Sequence, residues 1–182
     1  MDDERYYTRT IVKKQLHSAY LQTERSLRIY LPPGYDERIS YPVLFCQDGE
    51  QFFNFGRIAT HATKLILDEG IEPMLIVGVD VDLPRRTAEY APEGARFQLY
   101  QRFFVEEMLP EMERSFSVRT SPDSRVLAGD SLGGTVSLHL ALDYPELFQQ
   151  VLSLSGAFLP STLQKIEEQR DLSWLNLFMV IG

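Results

Sequence analysis

Arg125-Val126-Leu127-Ala128-Gly129-Asp130-Ser131-Leu132-Gly133-Gly134 decides the reading of this chain. An apolar run leads into G-x-S-x-G, and a helix-compatible stretch, residues 135–142, follows it. Strand, tight turn and helix in that order are the context that a nucleophile elbow requires. Such a turn strains the backbone of its serine, so the neighbours must be small. Gly129 and Gly133 leave room for the crossing of strand and helix, and Gly134 extends it. Ser131 Oγ is then expected to stand above the sheet, with the Leu132 amide at the helix N-terminus pointing toward any oxyanion that forms. The competing reading is a structural Gly-Ser turn in which Ser131 only caps the helix. The double glycine favours the nucleophile.

The expected base does not follow. Hydrolases with this elbow run serine, then acid, then histidine along the chain. Here the histidines are His17, His61 and His139, and none lies beyond His139. His139 is eight residues along the elbow helix, about 12 Å away at ~1.5 Å per residue. A general base needs contact at roughly 3 Å, so His139 reads as a helix-face residue. His61 falls in an earlier predicted helix and reads as structural; His17 ends an edge strand and reads as solvated. The last residues, Leu177-Phe178-Met179-Val180-Ile181-Gly182, read as a core strand.

A chain of 182 residues fits one domain, residues 1–182, with a sizeable core. Hydrophobic content of 44% and charged content of 24% are ordinary for a globular protein. A net charge of −8 argues against nucleic acid and anionic membrane as partners. The single cysteine, Cys46, excludes an internal disulfide and reads as a small buried hydrophobe inside Val43-Leu44-Phe45-Cys46. The sequence suggests no metal site and no cofactor. Met1-Asp2-Asp3-Glu4-Arg5 is too polar for a signal peptide, and no apolar run approaches membrane-spanning length. A soluble, cytoplasmic protein is the expectation.

Residues 10–16 and 25–31 read as strands joined by a turn at Gln22-Thr23-Glu24, an antiparallel hairpin that Pro32-Pro33-Gly34-Tyr35 stops. Residues 43–46, 74–79, 125–128, 151–154 and 177–181 read as further strands, several of them continuous apolar runs covered on both faces. Residues 58–69 have helical spacing, closed by Gly70. Residues 96–116 carry an apolar stripe at Phe97, Tyr100, Phe103, Phe104, Met108 and Met112, with Pro110 expected to kink or interrupt it. Residues 163–169 read as a weaker helix. Strands alternating with helices imply βαβ units: an α/β fold, mostly parallel, with helices on both faces and an antiparallel N-terminal hairpin.

The order and spacing of several short elements carry a resemblance. They are Arg28-Ile29-Tyr30-Leu31-Pro32-Pro33-Gly34-Tyr35, Tyr41-Pro42-Val43-Leu44, Gln47-Asp48-Gly49, Arg86-Thr87-Ala88-Glu89-Tyr90, Leu109-Pro110, the elbow itself, Tyr144-Pro145-Glu146-Leu147-Phe148 and Leu152-Ser153-Leu154-Ser155-Gly156. Together they resemble the putative-esterase branch of the α/β-hydrolase superfamily, which includes enterochelin esterase, feruloyl esterase, S-formylglutathione hydrolase and the mycolyltransferases. The Arg-x-x-Glu-Tyr element leans toward enterochelin esterase. The resemblance implies an ester hydrolase with a Ser-His-acid triad, its acid and histidine following the strand at which this chain ends. The expectation is therefore a C-terminally incomplete domain, its last strand or strands and a helix missing. It also implies a second oxyanion donor, a backbone amide in or just after Gln47-Asp48-Gly49, with Gly49, Glu50 and Gln51 as candidates.

Other residues have two readings each. Asp130 tunes the field of the site or is an ordinary helix-terminus carboxylate. Arg86 and Glu89, three apart, pair with each other and hold a loop, or contact substrate at the rim. Phe52, Phe53 and Phe55 line an acyl pocket or pack in the core. Glu167, Glu168 and Asp171 form a solvated face, and Trp174 packs. The leading expectation is a serine carboxylesterase that turns over a small-molecule ester through an acyl-enzyme on Ser131. Acyl transfer to an alcohol is the alternative with the same residues. A non-catalytic binding domain of the same fold is the alternative from another class. The charge-free, β-prone strand 177–181 further suggests self-association into a homo-oligomer.

Overall fold

A computed structural model describes residues 9–181; the acidic start, Met1 to Arg5, lies outside the described residues. Seven strands form one sheet in the order β1-β2-β4-β3-β5-β6-β7. They are β1 (Thr10–Ser18), β2 (Thr23–Leu31), β3 (Val43–Gln47), β4 (Leu75–Val79), β5 (Arg125–Asp130), β6 (Gln150–Leu154) and β7 (Asn176–Val180). β1 and β2 form the expected antiparallel hairpin, β2 lies antiparallel to β4, and β4, β3, β5, β6 and β7 run parallel. The hairpin turn comes earlier than expected. Thr23 and Glu24 pair with Ser18 and His17 inside the ladder, and Gln22 takes the left-handed conformation. The His17–Glu24 side-chain contact at 3.0 Å rewards that register.

Alternation along each strand divides the core between the two faces. Ile29, Phe45, Val77 and Leu127 join the larger cluster, while Tyr30, Cys46, Ile76 and Ala128 join a smaller one. α1 (Ile58–Lys64), continued by a π-helical turn at Leu65–Glu69, covers the smaller cluster through Ala59 and Ala62. The larger cluster is covered by α2 (Arg86–Tyr90), α3 (Phe97–Arg102), α4 (Leu109–Ser115) and α5 (Leu132–Asp143), with α6 (Pro160–Glu167) packed on α5. α6 begins three residues before its expected start, because Pro160 is preorganised for a first helical turn. Pro110 neither breaks nor ends its helix. Phe103–Met108 widens into a π-helical stretch between α3 and α4, which accommodates a residue without an N–H, and the apolar stripe stays continuous.

β7 is the sheet edge, and all five of its residues are exposed. Among the described residues no helix is long and apolar enough to cross a membrane.

Candidate active site

β5 delivers Ser131 to the carboxyl edge of the sheet, between its own last pair with β6 and the start of α5. Ser131 adopts φ 54° and ψ −121°, a region that L-residues avoid. The surroundings fix it there. Its N–H donates to the Leu154 carbonyl at 2.9 Å, and its carbonyl accepts from Gly134 at 3.0 Å and Ala157 at 3.1 Å. Gly129 is obligatory: a Cβ there would lie 2.2 Å from the Gly133 carbonyl carbon. Ser131 is half-buried, and among the described residues its hydroxyl has no hydrogen-bonding partner. The Leu132 N–H opens α5 and precedes any intrahelical acceptor, so it is free to point outward.

Alongside, β3 ends at a second strained residue. Asp48 has φ 53° and is 1% exposed. The chain then turns at Gly49, where a Cβ would lie 2.5 Å from the Gly78 backbone carbon, and enters a π-helical turn at Gln51–Phe55. Of the three candidate amides, Gln51 donates to the Asp48 carbonyl at 2.9 Å. The amides of Gly49 and Glu50 come before the first intrahelical acceptor and remain uncommitted.

Arg86 joins the two loops. Its Nε and Nη2 donate to the two carboxylate oxygens of Asp48 at 2.9 and 2.8 Å, and Nη2 also reaches the Asp130 carbonyl at 3.2 Å. The Asp48 carboxylate raises the guanidinium pKa further above its ordinary value. Tyr90, on the same helix, stacks under Arg86 with its ring centre 5.3 Å away, and its hydroxyl accepts the Asp48 N–H at 3.3 Å. Burial pushes the phenols of Tyr90 and Tyr100 well up, so both stay neutral. Tyr100 in turn donates to the Gln47 side chain.

Two expectations need correction. Arg86 and Glu89 do not pair, and Glu89 is not at a rim. It is fully buried, and its two carboxylate oxygens both accept from Arg25 Nη2, at 3.0 and 2.8 Å, with Arg96 Nε at 3.3 Å. Arg86 reaches Asp48 at the site, while the buried arginine Arg25 holds Glu89 in the core. Phe53 is buried against Gly78 and Phe52 is half-buried beside the smaller cluster, whereas Phe55, at the end of the π-helical turn, is 83% exposed.

Each histidine lies on its expected element, but His61 is exposed and not structural. His139 is buried, faces Phe97 edge-on, and shares a 2.9 Å hydrogen bond with the Thr162 hydroxyl. Burial lowers its pKa from 6.5 to about 4, with help from Lys165 and against Asp143 and Glu93. His61 is exposed on α1, across the sheet from α5, and His17 is exposed on β1. Cys46 is buried with its thiol pKa pushed up, as expected of a small core hydrophobe. Glu167, Glu168 and Asp171 are exposed, and Trp174 packs on the larger cluster. Among the described residues no group of three or more His, Cys, Asp or Glu side chains could hold a metal ion.

Comparison with known proteins agrees with this frame. The uncharacterized protein YjcH of Bacillus subtilis (strain 168) is 34% identical over 174 residues, 95% of this chain and 72% of YjcH. The iron(III) enterobactin esterase of Dickeya dadantii (strain 3937) is 27% identical over 157 residues, 85% of this chain but 35% of that protein. Among solved structures, an IroE-like serine hydrolase from Shewanella oneidensis superposes with a TM-score of 0.80 at 25% identity, over 93% of this chain and 60% of that one. The chain thus spans well under two thirds of the enterobactin esterase. The family described as Putative esterase matches residues 18–176, and with nearly the whole chain inside that match, this protein belongs to the Putative esterase family.

Proposed function

We propose that this chain carries the nucleophile and oxyanion elements of a serine carboxylic-ester hydrolase. The observation that carries the reading is Ser131, held at φ 54° and ψ −121° between β5 and α5 with its hydroxyl uncommitted. A strained conformation maintained by four backbone hydrogen bonds and an obligatory glycine needs a reason, and presentation of a nucleophile supplies one. Ser131 Oγ attacks the ester carbonyl and expels the alcohol, leaving an acyl-enzyme that water then cleaves. Leu132 N–H and the Gly49 or Glu50 N–H stabilise the oxyanion. The base and its acid partner come from residues C-terminal to Gly182, since His17, His61 and His139 all stand away from Ser131. The substrate is a small-molecule ester, and the name of the Dickeya dadantii relative makes iron(III) enterobactin the first ester to assay.

The test uses a longer form in which a segment after Gly182 supplies the acid and the histidine. Ser131 is expected to react with a fluorophosphonate probe and His139→Ala to leave that labelling intact. The 182-residue chain alone is expected to be nearly inactive on p-nitrophenyl acetate, because loss of a triad member costs several orders of magnitude. Robust turnover by that chain, abolished by Ser131→Ala, would overturn the assignment of the base.

A further inference from the structure

The sheet pairing between β3 and β5 stops at Cys46 opposite Ala128, and the two strands then end in separate loops that open on Asp48 and Ser131, both at positive φ. One carries the Gly49 and Glu50 amides, the other Ser131 and the Leu132 amide. Oxyanion stabilisation depends on the distance between those loops, and donors must sit within a few tenths of an ångström of where the charge develops.

Arg86 is placed to set that distance. Its fork closes on both Asp48 carboxylate oxygens, and the same Nη2 reaches across to the Asp130 carbonyl, one residue before the nucleophile. Asp48 is gripped twice by α2, through its carboxylate by Arg86 and through its amide by Tyr90. The clamped carboxylate also abuts the elbow helix, with Oδ2 3.1 Å from where a Gly133 Cβ would stand. The pair is largely out of solvent, at 22% and 1% side-chain exposure, so its charge-assisted bonds are strong and stiff. With Nε and Nη2 committed, Arg86 keeps only Nη1 for anything else, which disfavours a rim contact with substrate. We propose that Arg86 is a positioning residue: through Asp48 and Asp130 it locks the oxyanion loop to the nucleophile elbow. This rests on the serine-esterase reading of Ser131.

The experiment compares wild type with Arg86→Gln, Arg86→Lys and Asp48→Asn in the same longer form. Turnover of p-nitrophenyl acetate is read as kcat and KM, and backbone exchange of the hydrogen-bonded amides of Asp48, Gln51 and Ser131 is read by NMR. Arg86→Gln is expected to lower kcat about 100-fold with KM within about twofold, the signature of misplaced groups. Arg86→Lys keeps the charge without the fork and is expected to recover no more than a tenth of the lost rate. The double variant Arg86→Gln/Asp48→Asn is expected to be no worse than either single one, because both break the same clamp. Exchange at Asp48 and Gln51 is expected to rise at least tenfold in each variant. A raised KM with unchanged kcat would make Arg86 a substrate contact and overturn the proposal. So would unchanged amide exchange in folded variants. Turnover that survives Ser131→Ala would remove the esterase reading instead, and the exchange measurement would still judge the clamp on its own.

Discussion

His139 sits where the fold has no room for a charge. Buried against Phe97 and bonded to Thr162, it has a pKa depressed to about 4, below the ordinary 6.5 of an unfolded histidine. Between those values the unfolded chain takes up a proton that the folded chain refuses, so stability is full above pH 6.5 and is lost as pH falls toward 4. The loss from this one residue reaches about 3 kcal/mol. His139→Gln, which can keep the bond to Thr162, is expected to flatten that part of the stability profile in urea titrations; an unchanged profile would show that His139 does not titrate with folding. Ser131 was legible because its requirement is local: the glycines that allow its backbone angle stand two residues away on either side. Asp48 was not singled out as strained, since nothing beside it in sequence reveals a left-handed φ. Its partner lies 38 residues along the chain, beyond the reach of any spacing rule.

α2 shows how a short element divides its duties. Five residues give no periodicity to read, and the helix was missed in the sequence for that reason. Its first residue, Arg86, faces the carboxyl edge and its fourth, Glu89, faces the core. Removing the Glu89 carboxylate strands Arg25 as an unpaired buried charge. Glu89→Ala is expected to cost about 4 kcal/mol in chemical denaturation. Replacing both partners, Arg25→Met with Glu89→Leu, is expected to recover much of the loss. A mild Glu89→Ala phenotype, under about 1 kcal/mol, would mean that water reaches Arg25. The long apolar stripe from Phe97 to Met112 was legible as helix at every position, yet the π-helical widening before Pro110 was not. Periodicity reports which face is apolar and carries no trace of how a missing N–H is absorbed.

At the scale of the molecule, the two sheet edges differ. One is a polar hairpin; the other is β7, whose Phe178 is 64% exposed. Its β-propensity and its lack of charge are legible in the sequence, and both suit the exposed edge that it forms. The 182-residue chain is expected to self-associate through this strand, and Phe178→Lys to suppress that association in light scattering. A monodisperse wild-type chain at the same concentration would refute it.

The strand order sets a waiting time. β3 is central, yet one of its two neighbours, β5, is made much later in the chain. About 80 residues separate them, and a ribosome adding ~5–20 residues per second takes roughly 4–16 s to cover that distance. Throughout that interval Val43, Leu44, Phe45 and Cys46 offer an unmatched backbone edge to whatever is nearby. The open edge of β3 and the missing Ser131 end together, because the strand that covers that edge is the one that leads into Ser131.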